Sequence, residues 1–344
     1  MLKIGLISPY IPEKDGIAIY SDNLLNGLSK KRRQLITIGM KGNKTDYTVD
    51  FKSFSLKKEL EKIIKKEKLS LIHIQYVATL FGKYNLNLNL INALTLPIPV
   101  IVTLHEVQYS TKGLKNKILS CIENEIIKKA NKVIVHTSNQ KKFLEKKYKT
   151  NKITHIYQGL NLHSLKRKTN KNIIFFGMIS QGKGLKYLIK AMQYLPDYNL
   201  TIAGRFVNRK IEKNIKNELK KTKLNNLKID FGWINELKKE KYYMNSDLVV
   251  LPYIWAPYQS AIMQDAISWG LPLVVTDVGA LNEIVRQFKL GEIVKVKNPK
   301  AIAEGIKIVF KNYDEYKGGI TKYRKAANWS IVAEKHFKLY KNTI

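Results

Sequence analysis

Short apolar runs of β character alternate with helical patterns along almost the whole chain. This rhythm restricts the fold more than any other feature. A strand followed by a crossover helix returns to a parallel neighbour, and repeats of that unit build α/β layers. Strands are predicted at 3–8, 34–40, 70–76, 99–105, 132–137 and 152–157, with helices such as 17–28 and 115–130 between most of them. A polar, basic bridge at 164–171 breaks the pattern and reads as a linker. The pattern then restarts, with strands at 172–177, 199–203, 228–231, 247–252, 273–276 and 292–296. Helices are predicted at 185–195, 211–223, 236–245, 261–269, 281–287 and 300–311. The expected architecture is two doubly wound parallel-sheet domains of similar size. A ligand is expected in a cleft between them, at the carboxyl ends of the strands. The amphipathic segment 314–344 is helical, and periodicity alone does not place it.

Composition narrows the class. The 344 residues suffice for two domains, and 44% hydrophobic content supports a sizeable core. No run of about 20 apolar residues is present to span a bilayer. The opening MLKIGLIS lacks an apolar signal core, so a cytoplasmic location is expected, and Asn43, Asn199 and Asn328 are not expected to be glycosylated. One cysteine excludes an internal disulfide; Cys121, in the pattern Leu114, Ile118, Ile122, Ile126, is expected in the core. The net charge of +34 admits three causes: nucleic-acid binding, attraction to an anionic membrane, or a lysine-rich composition. The lysines are spread over the whole length and no nucleic-acid module is recognisable. Composition is therefore the expected cause, peripheral membrane contact a consequence, and nucleic acid the last choice.

One stretch carries the most specific chemistry. In NIIFFGMISQGKGLKYLIKAM (172–192) a strand runs into a glycine-rich turn with one lysine, then a helix. Free N–H groups and a positive helix end beside the Lys183 ammonium suit a phosphate or diphosphate. Plain turn geometry accounts for the glycines equally well. Gly177 to Lys183 also fits seven positions of the P-loop pattern, but Gly184 stands where a magnesium-binding hydroxyl is needed. Gly16 precedes a helix after the first strand. His105 ends the strand VIVTLH, where polar residues face the ligand edge, whereas His73, inside a strand, reads as structural. Ser260 or Gln259 could cap a helix and offer its N–H groups to an anion. Asp265 is a carboxylate on an otherwise apolar helix; it needs a partner, such as ribose hydroxyls, or solvent.

Taken in order, DGIAIYSDNL, VTLHE, FFGMISQGKGLKYLIKA, LTIAG, FGWINELKKEKYYMNSDLVVLPY, AISWGLPLVVTDVGALNEIV and NWSIVAEKHFKLY resemble the family 4 glycosyltransferases of the GT-B fold. The resemblance implies a retaining enzyme that uses a nucleoside-diphosphate sugar and no metal or other cofactor. It implies domains at 1–163 and 172–325, a linker at 164–171, and a closing helix at 326–344 that crosses back to the first domain. It puts Gly16 beside the donor diphosphate, His105 near the donor sugar and Lys183 on the diphosphate. Gln259, Ser260 and Ala261 would line the diphosphate and sugar, and Asp265 would hold the ribose. The chain departs from the family at Asp15 (a glycine), Met178 (an arginine), Pro257 (the first glutamate of E-x₇-E) and Gln158 (a histidine). Arg205 or Arg209 is the expected substitute for the missing charge. The acceptor is a hydroxyl, with loops 75–84 and 107–114 as candidate contacts. The basic surface favours a lipid-linked or membrane-proximal acceptor. A P-loop NTPase or kinase, a nucleotide-sugar epimerase and an inactive basic binding protein are the alternatives.

Overall fold

The computed structural model describes residues 2–13, 15–82, 86–163, 169–256, 260–279 and 281–344. The chain divides into two compact units, Met1–Gly159 with Ala327–Ile344, and Leu160–Ala326.

In the first unit the chain runs β1 (Ile4–Ile7), α1 (Gly16–Gly27), β2 (Leu35–Gly39), β3 (Tyr47–Thr48), α2 (Leu56–Glu67), β4 (Leu71–Tyr76) and α3 (Leu88–Ala93). It continues through β5 (Val100–Leu104), α4 (Leu114–Lys129), β6 (Lys132–Val135), α5 (Ser138–Tyr148) and β7 (Ile153–His155). The seven strands form one parallel sheet in the order β3-β2-β1-β4-β5-β6-β7. Its central strands are buried on both faces, as a sheet covered by helices on both sides requires. The two-residue edge strand β3 was not legible in the sequence.

The second unit runs β8 (Asn172–Phe176), α6 (Leu185–Ala191), β9 (Asn199–Gly204), α7 (Arg209–Thr222), β10 (Leu227–Phe231), α8 (Glu236–Met244) and β11 (Leu248–Leu251). It closes with α9 (Ala261–Ser268), β12 (Leu273–Thr276), α10 (Asn282–Phe288), β13 (Gly291–Val294), α11 (Pro299–Lys311) and α12 (Tyr313–Ala326). Its six parallel strands are ordered β10-β9-β8-β11-β12-β13. Residues 160–163 belong here and not with the first domain. His163 N–H donates to Ser268 O at 3.0 Å, its carbonyl accepts from Arg324, and its ring stacks on Trp269 at 3.8 Å. Of the predicted linker, 164–168 lies outside the described residues.

The last helix, α13 (Trp329–Lys341), is part of the first unit. It buries Trp329, Val332, Ala333, Phe337 and Tyr340 against Tyr20, Leu24 and Leu28 of and just after α1. The approach is close: a Cβ on Gly27 would lie 2.8 Å from Ala333 Cβ, and one on Gly159 2.2 Å from the Trp329 ring.

Two findings concern surface residues, and the first revises an expectation. Cys121 is exposed. The inward face of α4 carries Ile122, Glu123, Ile126 and Ile127 instead. Glu123 is drawn in because its carboxylate accepts from Lys147 Nζ (3.0 Å), Tyr148 Oη (2.8 Å) and Gln108 N–H (2.8 Å). Lys147 Nζ also donates to Gln108 O, so the pair fastens the start of the 107–114 loop to α4. Lys147→Met strands a buried carboxylate and is expected to cost about 3 kcal/mol, read as a lowered midpoint in urea unfolding at unchanged slope.

The second finding concerns lysine. Helices α2, α5, α7 and α10 end on Lys68, Lys149, Lys223 and Lys289 in the left-handed conformation, with φ of 52°, 48°, 45° and 52°. Glycine is favoured there because a Cβ is strained. Lysine at positions that prefer glycine supports composition as the cause of the charge. Each Lys→Gly change at these four sites is expected to stabilise the fold by up to about 1 kcal/mol, measurable as an additive rise in melting temperature.

Candidate functional site

The strand order of the second unit reverses on either side of β8 and β11. Loops leaving their carboxyl ends part there, which is where doubly wound sheets open a ligand crevice. The loop after β8 begins at Gly177, with φ of 104°. It stays tied to the loop after β9 through Ile179 N–H to Arg205 O (2.8 Å) and Val207 N–H to Ile179 O (3.1 Å). A short 3-10 turn, Gln181–Lys183, follows, and Ile254 N–H donates to Gly182 O at 2.8 Å. Gly184 is left-handed (φ 64°), and a Cβ there would lie 1.9 Å from Pro252 O. The glycine that broke the P-loop pattern is thus required by the packing of this turn on the end of β11.

Lys183 is the centre of the site. Its Nζ lies 3.7 Å from the centroid of the Tyr253 ring. Burial lowers its pKa from 10.5 to about 8, and burial also pushes the Tyr253 hydroxyl up to about 12. Among the described residues Lys183 has no ion-pair partner. A half-buried ammonium resting on an aromatic face is set up to receive an anion.

Tyr253 links this turn to α9. Its hydroxyl lies 3.4 Å from Ser260 Oγ, and Ser260 Oγ caps the helix by accepting from Met263 N–H. Ala261, at the first helical position, is exposed. Lys183, Ser260 and Ala261 therefore gather around one tyrosine. Gln259 and Pro257 lie outside the described residues.

Asp265, one turn further along α9, already has a partner within the chain. Lys239 Nζ lies 3.5 Å from its Oδ2, although Lys239 also holds Glu236 at 2.8 Å. Burial raises the Asp265 pKa, the Lys239 charge opposing it. Sugar hydroxyls are thus not needed to satisfy it. Arg205 is exposed after β9, its guanidinium 5.3 Å over the Trp233 ring. Trp233 and Trp255 follow β10 and β11 at 72% and 68% exposure, and Met178 follows β8. Neither tryptophan was singled out in the sequence, though a large aromatic within four residues of a strand's carboxyl end was the available signal. A cavity of about 680 Å³ in this unit lies at the opposite edge, where Asn172, Asn199 and Leu227 begin their strands. It is apart from these groups.

In the first unit, Gly16 opens α1. A Cβ on it would meet nothing within 4 Å, so neither clash nor backbone strain demands glycine. Asp15 caps the helix, its Oδ1 accepting from Ile17 N–H (2.8 Å) and Ala18 N–H (2.7 Å). The positive end of α1, assigned by sequence to an anion, thus already holds a carboxylate. His105 directly follows β5 and is partly exposed. Its Nε2 lies 2.9 Å from Gln75 Oε1, and its ring meets Tyr20 edge-on at 4.9 Å. Burial holds its pKa well below the usual histidine value, so the ring is neutral. His73 is structural, as read, bonded to Tyr340 and Thr103 within the core.

Comparison with known proteins gives two family matches that meet near the unit boundary. Residues 16–164 match the family described as Glycosyltransferase Family 4, and residues 162–326 that described as Glycosyl transferases group 1. An uncharacterized glycosyltransferase of Haemophilus influenzae is 26% identical over 343 residues, covering 92% of each chain. Another, from Methanocaldococcus jannaschii, is 31% identical over 179 residues, which are 50% of this chain and 45% of its own. Among solved structures, Anabaena HepE in complex with UDP superimposes with a TM-score of 0.76 at 14% identity, over 99% of this chain and 100% of its own.

Proposed function

The chain belongs to the family 4 glycosyltransferases of the GT-B fold, and from that premise we propose that it is a retaining, metal-independent enzyme moving a sugar from a nucleoside diphosphate to a hydroxyl acceptor. The observation that carries this is Lys183: a half-buried ammonium on the Tyr253 face, without a counter-ion among the described residues, in a glycine turn at the reversal of strand order.

In the reaction the bond from the anomeric carbon to the diphosphate oxygen breaks. The acceptor oxygen bonds to that carbon on the same face, and its proton passes to the departing phosphate oxygen. Charge grows on the diphosphate. Lys183 and the first N–H groups of α9 at Ala261 are placed to neutralise it, so donors fixed before reaction lower the barrier. These groups do the work that a divalent cation does elsewhere. EDTA is accordingly expected to leave donor binding unchanged.

A thermal-shift screen of UDP, GDP and ADP sugars tests the assignment. HepE was also solved with UDP-glucose, which makes that donor the first probe. One donor is expected to raise the melting temperature, with or without EDTA. Donor affinity should also depend on pH with a defined sign. Free Lys183 titrates at about 8, while the phosphates of a nucleotide sugar are already ionised. Above that pH, binding must first protonate the amine. Affinity is expected to fall by up to about tenfold per pH unit above 8 and to stay flat below it. Calorimetry should show proton uptake on that limb, and a pH-independent affinity from 7 to 10 would refute the role of Lys183.

The acceptor is assigned to the first unit, and a lipid-linked hydroxyl fits the basic surface. Co-sedimentation with vesicles containing anionic lipid should exceed that with neutral vesicles; equal binding removes this part.

A further inference from the structure

We propose that Gln75 is a positioning residue for His105, and that it heads a one-directional hydrogen-bond relay through His73 to Tyr340 which fixes His105 as the Nε2–H tautomer and reserves Nδ1 as an acceptor for a hydroxyl of the donor sugar. The last clause rests on the reading that His105 approaches the donor sugar; the relay itself does not.

The orientation of the Gln75 amide sets which atom donates at each step. His105 Nε2 lies 2.9 Å from Gln75 Oε1, which can only accept, so His105 Nε2 carries the proton. The amide nitrogen of Gln75 lies 3.3 Å from His73 Nε2 and can only donate, so that nitrogen is bare. Thr103 Oγ1, at 2.7 Å, points its hydroxyl to the same nitrogen. His73 Nδ1 then holds its proton and donates to Tyr340 Oη at 2.8 Å. Gln75, His73, Thr103 and Tyr340 are all buried, so no water competes for these bonds. The relay runs from the carboxyl ends of β4 and β5 to α13, the last helix of the chain.

Neighbouring histidines show how unusual this arrangement is. His336 Nδ1–H donates to Val332 O at 2.8 Å and leaves Nε2 to accept from Tyr20 Oη at 3.3 Å. His136 Nδ1–H donates to Ile156 O at 3.1 Å. With His73, that makes three Nδ1–H rings, and of these four histidines His105 alone is Nε2–H. The titratable groups in ring contact with His105 are Tyr20 from α1 and His136 after β6, and His73 from β4 and His336 from α13 act on it electrostatically. Burial and the rings' effect on one another keep His73, His105, His136 and His336 neutral at neutral pH. A neutral ring whose Nε2–H is spent on Gln75 does not act as a general acid. What it offers a ligand is the Nδ1 lone pair, which suits a sugar hydroxyl.

The test uses the full chain labelled with ¹⁵N-histidine. Long-range ¹H–¹⁵N spectra at pH 7, with His105 assigned from the His105→Asn variant, are expected to show a protonated Nε2, a bare Nδ1 and a slowly exchanging Nε2–H. Gln75→Met, close in size, removes the acceptor. The Nε2–H signal of His105 should be lost to exchange while those of His136 and His336 Nδ1–H persist and report an intact fold. A protonated Nδ1 on His105 in the parent chain, or an Nε2–H signal that survives Gln75→Met, overturns the relay. In UDP release from UDP-glucose, Gln75→Met should lower kcat about tenfold, the worth of one hydrogen bond, with KM nearly constant. If His105→Asn turns over UDP-glucose as fast as the parent, the donor-sugar role of His105 fails while the spectra still decide the relay.

Discussion

Gly184→Ser is expected to destabilise the second unit by about 2–5 kcal/mol and to abolish donor binding. Two costs combine. A side chain in the left-handed conformation is strained by about 1–2 kcal/mol, and Gly184 has φ of 64°. The new Cβ would also stand 1.9 Å from Pro252 O, a backbone atom at the end of β11 that cannot rotate away. Forcing the turn and the strand apart adds about 1–3 kcal/mol. The separation would pull Lys183 off Tyr253 and break the bond from Ile254 N–H to Gly182 O. Thermal unfolding should show a drop of about 10 °C. This substitution completes the P-loop pattern, so it also decides between chemistries. A stable Gly184→Ser protein that hydrolyses nucleoside triphosphates with magnesium would replace the glycosyltransferase site proposed above with a P-loop.

Lys183→Ala is the second large effect, and it spares the fold. Removing a charged hydrogen-bond donor to phosphate costs about 1.5–3 kcal/mol of binding, or about 10- to 100-fold in donor Kd. Turnover should fall further, by about 100- to 1000-fold, since the contact strengthens as the diphosphate leaves. The free protein carries a separate signature. Lys183 has a folded pKa of about 8 against 10.5 unperturbed. Between those values the unfolded chain binds more protons than the folded one, so stability rises with pH across that window. The alanine variant should lack that rise. Equal thermal shifts by UDP-glucose in both proteins, together with identical stability-versus-pH curves, would remove Lys183 from the site.

The fold was legible because its signals are local and repeated. Apolar strand runs such as Val100–Leu104 and caps such as Asn298 before Pro299 need no knowledge of distant residues. The GT-B assignment followed from the order of such segments. Cys121 was misplaced because two stripes run along α4, and the choice between them depends on Lys147 and Tyr148, which lie 24 and 25 residues from Glu123 and turn it inward. Among site residues, Lys183 was visible from its glycine turn. Its aromatic seat on Tyr253 was not, since the two are 70 residues apart and meet only when β8 pairs with β11. Asp265 was rightly seen to need a partner, but the sequence could not show that Lys239, on α8, supplies one.

Alternation of strand and helix, a lysine in a glycine turn, and the positions where strands end were determined by the sequence alone, because each depends on residues a few places apart. Tertiary structure decided which charges already have partners. It gave Lys239 to Asp265, and left Lys183 without a counter-ion among the described residues. It also gave His105 its tautomer through Gln75 and His73. Such outcomes depend on which strands become neighbours and on how far water is excluded between them, and parallel sheets make neighbours of segments far apart in the chain.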